Sequence, residues 1–327
     1  WNNALGEISN SLLLNKKGVF YDVTLSSGIH SMYPTQTAVW ADVDNNGCVD
    51  VFIGNEDYVS ELYMNNCDGG FENMAANYGL DINAFVKGAA FGDINNDGAQ
   101  DLFISVSGGE NLLFLNQGKD QPMQLLKGAG IERPIDSFPT WFFDFNNDGY
   151  EDLYVGYFDN DMSFFLQKLM NGTSSRIGGI IYLNQMDNTF RPLKDPKQNL
   201  ESYNTMGANY GDLNNDGYLD YYVGTGAPSL TCLVPNELYI NDHGVDRINA
   251  TIDFGLAHLQ KGHGISFADI DYDGDLDIYL VNGGWFPVDN FKNSLFINNY
   301  SDDHHWVNIR LIGSESNHSA IGARIKI

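Results

Sequence analysis

Short apolar runs alternate with clusters of turn residues along the whole chain. Between residues 87 and 127 the runs are KGAAFGDI, DLFISV and NLLFLN, with a weaker fourth near 122–127. Runs of this length, rich in β-branched and aromatic residues and bounded by Gly, Asn and Asp, predict β-strands. No repeated unit carries two helical periodicities, which disfavours a helical solenoid. One stretch, DNDMSFFLQKLMNG, predicts a short helix with Asp161 as N-cap and Gly172 beyond its end.

The strand pattern is itself repeated. ADVDNNGCVDVFIGN (41–55), GDINNDGAQDLFISV (92–106), FDFNNDGYEDLYVGY (143–157), GDLNNDGYLDYYVGT (211–225) and ADIDYDGDLDIYLVN (268–282) align without gaps. Their first Asp residues fall at 42, 93, 144, 212 and 269, so successive units are offset by 51, 51, 68 and 57 residues. A second element follows each: ELYMN (61–65), NLLFLN (111–116), IIYLN (180–184), NELYIN (236–241) and NSLFIN (293–298). A sixth copy, NSLLLN at 10–15, has no acidic loop before it, so the sequence opens midway through a repeat. Four strands per unit of roughly 50 residues predict an all-β chain of β-propeller blades. The first two strands, 10–24, read as the third and fourth of a blade, and IGARIKI (321–327) is placed to add a closing strand there.

Composition narrows the function classes. Against 17 Lys and Arg stand 43 Asp and Glu, a formal net charge of −26, which argues against nucleic acid or an anionic membrane surface as partner. Asp (33) far exceeds Glu (10) and there are 37 Asn, a bias toward turns and oxygen-ligand loops. No apolar run approaches the length of a membrane helix. Beginning at Trp1 without a leader, the sequence reads as a processed or trimmed product. Sequons begin at Asn171, Asn249, Asn299 and Asn317, close to the number that composition alone yields.

The candidate chemistry lies in the five loops, which obey D-x-[DN]-x-[DN]-G-x-x-D. Residue frequencies alone would give roughly 0.02 such matches in a chain of this length. Side-chain oxygens at positions 1, 3, 5 and 9 and a carbonyl at 7 suit one hard divalent cation, and Gly at 6 (Gly47, Gly98, Gly149, Gly217, Gly274) permits the tight wrap. An EF-hand is rejected, because position 12 is Ile53, Ile104, Val155, Val223 or Leu280 where that loop requires Glu. A metal-free set of Asx turns is the competing reading, but turn chemistry gives no evident reason for Asp at position 9 in every loop. The flexible carboxylate-and-carbonyl set favours Ca²⁺ over Mg²⁺.

These loops, with Phe91–Gly92 before one and Gly226–Ala227–Pro228 after another, resemble FG-GAP/VCBS repeats, the calcium-bearing blades related to those of integrin α chains. The last residues, HHWVNIRLIGSESNHSAIGARIKI, resemble the opening of the ASPIC/UnbV segment of cartilage-acidic-protein-like proteins. The resemblance implies a propeller over 1–303 of six or seven blades, seven favoured, then an ASPIC/UnbV-like start at 304–327. It also implies secretion or surface exposure, with the periplasm as the alternative location. Carried over position by position, it gives about five Ca²⁺ held on the loops between strands A and B. The ligands of the first loop are Asp42, Asp44, Asn46, Cys48 and Asp50; of the second Asp93, Asn95, Asp97, Ala99 and Asp101; of the third Asp144, Asn146, Asp148, Tyr150 and Asp152. Those of the fourth are Asp212, Asn214, Asp216, Tyr218 and Asp220, and of the fifth Asp269, Asp271, Asp273, Asp275 and Asp277. Cys48, Ala99, Tyr150, Tyr218 and Asp275 supply carbonyls, and Asn46 makes the first loop a weaker site than the all-Asp fifth.

No nucleophile elbow, phosphate loop or zincin motif appears, and the paired acids are absorbed by the loops. The functional expectation is therefore a non-enzymatic calcium-binding adhesion or interaction module, or a subunit of a larger assembly; the alternative is a carbohydrate-binding or carbohydrate-active propeller. The partner, protein or glycan, is expected on the long B–C connections 157–179, 225–235 and 283–292, around Phe158, Phe164, Phe165, Trp285 and Phe286. His304 and His305 beside Asp302 and Asp303 read as a polar strand edge. Cys48 and Cys67 fall in the A–B and C–D turns of one blade, as a disulfide or as two buried thiols.

Overall fold

A computed structural model describes residues 9–158, 166, 170, 178–194, 204–227, 234–283, 291–299, 307, 309–314, 317–323 and 325. The chain divides into two compact units, 1–135 with 309–327, and 136–308.

The first unit opens with a hairpin of β1 (Leu13–Lys16) and β2 (Val19–Asp22). Lys17 and Gly18 both take positive φ in its two-residue turn, the twist that suits paired strands. This is the pair expected from NSLLLN and GVFYDV. After the short helix α1 (Thr24–Ser27) comes an antiparallel meander of β3 (Thr35–Ala41), β4 (Asp50–Val59), β5 (Glu61–Asn65) and β6 (Phe71–Asn73). A second short helix, α2 (Ala75–Tyr78), leads to another meander: β7 (Asn83–Gly92), β8 (Asp101–Val106), β9 (Leu112–Leu115) and β10 (Gln124–Leu125). β10 is the weak fourth strand read at 122–127. The far end of β4 also pairs with β7, so these two blades share one sheet. Phe52, Leu62, Val86, Leu102, Ile104 and Phe114 fill the core between them.

The second unit holds three more meanders. They are β11 (Ser137–Phe143), β12 (Asp152–Tyr157), β13 (Ile180–Asn184) and β14 (Phe190–Pro192); then β15 (Thr205–Gly211), β16 (Asp220–Thr225), β17 (Glu237–Asp242) and β18 (Asp246–Asn249). The last, β19 (Gly262–Ala268), β20 (Asp277–Asn282) and β21 (Ser294–Phe296), has three strands among the described residues. All-β meanders of this kind, repeated along a chain, are propeller blades. Strands β8, β12 and β16 are buried at every residue, which is why DLFISV, DLYVGY and DYYVGT read as continuous apolar runs with no alternation. Aromatics pack between neighbouring blades: Trp141 stacks on Tyr210 with ring centroids 5.6 Å apart, and Tyr154 meets Tyr221 at 5.4 Å.

Blades approach closely where β15 meets β19. A Cβ at Gly207 would run into the backbone carbonyl of His263, and one at Gly224 would lie 2.6 Å from the carbonyl oxygen of Gly262. Backbone cannot swing aside as a side-chain tip can. Gly207→Ala should therefore cost roughly 3 kcal/mol or more, read as a lowered urea midpoint; an unchanged midpoint would mean that the blades are not packed this way.

Two expected elements are described only in part. Residues 321–323 form a turn and no strand: Asn317 accepts the Ile321 N–H at 2.8 Å and donates to its carbonyl at 2.9 Å, closing that turn locally. Gly322 lies against the Gln100 side chain, within reach of the second acidic loop. Of the helix expected over 161–172, only Leu166 and Met170 are described, both helical and exposed.

Candidate functional site

Each acidic loop joins an A strand to a B strand: β3 to β4, β7 to β8, β11 to β12, β15 to β16 and β19 to β20. Two backbone reversals shape it. Position 4 takes positive φ (Asn45, Asn96, Asn147, Asn215, Tyr272), as does Gly at position 6, between 86° and 99°. Asn and Gly tolerate that region best, which accounts for four of the five residues at position 4.

The carboxylates then brace the loop. Both oxygens of position 1 accept backbone N–H groups, from positions 5 and 6; for Asp42 the donors are Asn46 and Gly47, each at 2.9 Å. The same pair recurs on Asp93, Asp144, Asp212 and Asp269. Position 5 accepts the N–H of position 7 in every loop, at 2.8 Å from Asp97 to Ala99 and 3.0 Å from Asp273 to Asp275.

Position 9 has a structural task besides the one read from the sequence. Asp50, Asp101, Asp152, Asp220 and Asp277 are all fully buried. One oxygen of each takes the N–H of position 2 (Val43, Ile94, Phe145, Leu213, Ile270). The other takes the N–H of an Asn at or just beyond the end of strand C: Asn65, Asn116, Asn184, Asn241 or Asn298, at 2.7–2.8 Å. An Asp at position 9 is thus required by the blade itself, so its recurrence does not by itself signal a metal.

Those Asn residues are functional positions that the sequence reading passed over. Asn116 Nδ2 donates to the carbonyl of Val43, Asn241 to that of Phe145 and Asn298 to that of Leu213, each at 2.8 Å and each in the preceding blade. Neighbouring loops are stitched as well. Asn147 donates to the Gly217 carbonyl at 2.9 Å, and Asn215 to Asp275 Oδ1 at 2.7 Å. The signal was available: the Asn closing each xLxxN element stands at a constant place in the repeat.

A cation suits the remaining donor capacity. Asp42, Asp44 and Asp50 bring one oxygen each within 4.8 Å of one another, and so do Asp269, Asp271 and Asp273. In the second, third and fourth loops Asn95, Asn146 and Asn214 at position 3 hydrogen-bond the carboxylate at position 5. The donors are all oxygen, and each carboxylate keeps lone pairs beyond its backbone bonds, which fits a hard divalent ion. In the first loop Lys119 lies 3.5 Å from Asp44, and Asn46 is committed to the Cys48 N–H and the Asn65 carbonyl. Both features compete with a cation there.

Cys48 and Cys67 form a disulfide, with Cα atoms 5.6 Å apart, tying the first loop to the C–D turn of its blade. Closing 19 residues of chain stabilises by ~3 kcal/mol in the chain-entropy account.

Burial raises the position 9 carboxyls of the first four loops, against the pull of their backbone hydrogen bonds: Asp50 to about 6, and Asp101, Asp152 and Asp220 to about 7. Asp42 and Asp212 are raised by burial too. A carboxyl raised on folding binds more protons in the folded state, so its contribution is present below the usual carboxylate range and is lost as pH rises through the folded value. In chelator, the melting temperature should fall between pH 4 and about 7; excess Ca²⁺ should flatten or reverse that slope. A chelated protein that gains stability over this interval would contradict the assignment.

Of the expected partner surface, Phe158 is described and is half-buried: it packs on Phe138, ring centroids 5.7 Å apart, and against Ala227 and Val234. It belongs to local packing, not to a free contact face. Phe164, Phe165, Trp285, Phe286, His304 and His305 lie outside the described residues.

The model of the FG-GAP-like repeat matches residues 42–104, 93–155 and 144–223, together more than half of the chain. Cartilage acidic protein 1 of Mus musculus is 25% identical over 301 residues, covering 85% of this chain and 44% of the relative. The Xenopus tropicalis protein of that name is 28% identical over 218 residues, 64% of this chain and 31% of the relative. The chain therefore spans less than half the length of these relatives. Among solved structures, the Dos1 propeller is similar at TM-score 0.44 and 10% identity, over 84% of this chain and 56% of that one. Matched across the first four of its acidic loops, the chain belongs to the FG-GAP-like repeat family.

Proposed function

We propose that this chain is a calcium-stabilised, non-enzymatic propeller that works outside the cell as a protein-interaction module or as a subunit of a larger assembly. The convergence of carboxylates in the first and fifth loops carries the reading. Calcium supplies a fixed positive centre to each loop, and the loop residues do the rest: positions 1 and 5 hold the turn, and position 9 latches it to strand C. The disulfide supports an oxidising compartment. A rigid set of A–B loops leaves the B–C connections 157–179, 225–235 and 283–292 as the segments free to vary for a partner.

A carbohydrate-binding role finds no support in one cavity among the described residues, about 330 Å³ lined by Leu213, Leu238, Leu256, Ile278, Phe296 and Asn298. The Asn298 amide is already committed to the Leu213 carbonyl, which leaves little to bind sugar hydroxyls. Crosslinking in the native source tests the module reading. Crosslinks to another protein through the B–C connections are expected; a native protein that stays inside the cell, or one whose crosslinks fall on the acidic loops alone, would overturn it.

A further inference from the structure

Burial separates sequons that look alike in sequence. Asn317 is 5% exposed and both ends of its amide are used, Oδ1 by the Ile321 N–H and Nδ2 by the Ile321 carbonyl. A sugar on that nitrogen would have to break the turn. Asn249 is the opposite case. It is exposed at the last residue of β18, the outermost strand of its sheet. Its Oδ1 accepts from the Thr251 hydroxyl at 2.6 Å and from the Thr251 N–H at 3.2 Å. Thr251 is itself buried, and its hydroxyl accepts the Leu238 N–H at 2.9 Å. The buried Thr fixes the carbonyl end of the Asn249 amide inward, so the nitrogen end is left facing water.

The surroundings give such a site a purpose. Among the described residues no strand pairs with the outer edge of β18, and Val245 (75% exposed), Ile248 (54%) and Ile252 (78%) lie on it or next to it in sequence. Asp246 and Arg247 charge one end of this strand, but the exposed apolar side chains about its other end leave an edge that can template pairing with another chain unless something covers it. A bulky hydrated group at Asn249 would do so without touching the core.

We propose that Asn249 is an N-glycosylation site whose glycan shields the β18 edge; the proposal rests on the extracellular reading above. The donor is a lipid diphosphate-linked oligosaccharide. Asn249 Nδ2 forms a bond to C1 of the reducing-end sugar, the C1–O bond to the diphosphate breaks, the lipid diphosphate leaves with the electron pair, and the amide gives up one proton.

The test is secretion of the chain from animal cells behind a supplied leader, so that entry into the pathway does not depend on the protein's own location. Peptide mapping after amidase release in heavy-oxygen water then reads each sequon. The expected result is a label at Asn249, none at Asn317, and a raised aggregation rate in Asn249→Gln compared with the labelled chain when each is held equally far below its own melting temperature. Secreted, disulfide-bonded protein bare at Asn249 would overturn the site, as would a folded chain labelled at Asn317. A labelled chain whose Asn249→Gln variant aggregates no faster would overturn the shielding role. A native protein found inside the cell would instead count against the extracellular reading alone.

Discussion

Removing calcium should lower the melting temperature by more than roughly 10 °C. Sixteen carboxylates stand at positions 1, 3, 5 and 9 of the five loops, in a chain whose formal net charge is already −26. Five Ca²⁺ would add ten positive charges, bringing that to −16. Binding to the folded state alone stabilises by ~2.7 kcal/mol per site at a hundredfold excess over Kd. The loops are braced by their own backbone hydrogen bonds, so chelation should weaken the fold without abolishing it at once. Differential scanning calorimetry with and without chelator, with metal loss confirmed, reads the shift; coincident curves would leave the loops as metal-free Asx turns.

The second large effect separates latch from ligand. Asp220→Ala should destabilise by about 2–5 kcal/mol even in chelator, because the N–H groups of Leu213 and Asn241 would both be left buried without an acceptor. Asp216→Ala should do much less in chelator, since its carboxylate holds only the local Tyr218 N–H and the Asn214 amide. In excess Ca²⁺ both variants should lose stability. Urea midpoints for the two variants under the two conditions measure this. Equal losses in chelator would mean that position 9 has no structural role of its own.

The blades were legible because their physics is local. A buried B strand needs a continuous apolar run, and its neighbours need turn residues at fixed distances, so DLYVGY and IIYLN announced β12 and β13. Gly at position 6 announced a positive φ that the loops indeed take. What stayed hidden depends on pairs far apart in the chain. Asn241 and Phe145 are 96 residues apart, and nothing near either says that one amide reaches the other's carbonyl. The same distance problem hid the structural task of position 9, since the Asn241 N–H that Asp220 holds lies 21 residues on. Phe158 was placed on the partner surface because its packing partners, Phe138, Ala227 and Val234, lie in other strands and connections. The turn at 317–321 was missed for a different reason: Asn317 was read as part of a sequon and not as the amide that closes it.

The central claim is that the five repeated loops are cation sites. Isothermal titration of the decalcified protein with Ca²⁺ tests it most directly. The account predicts saturable binding of about five ions, the first loop weakest, with Mg²⁺ binding far less tightly. Absence of saturable binding to a folded, decalcified chain would contradict it.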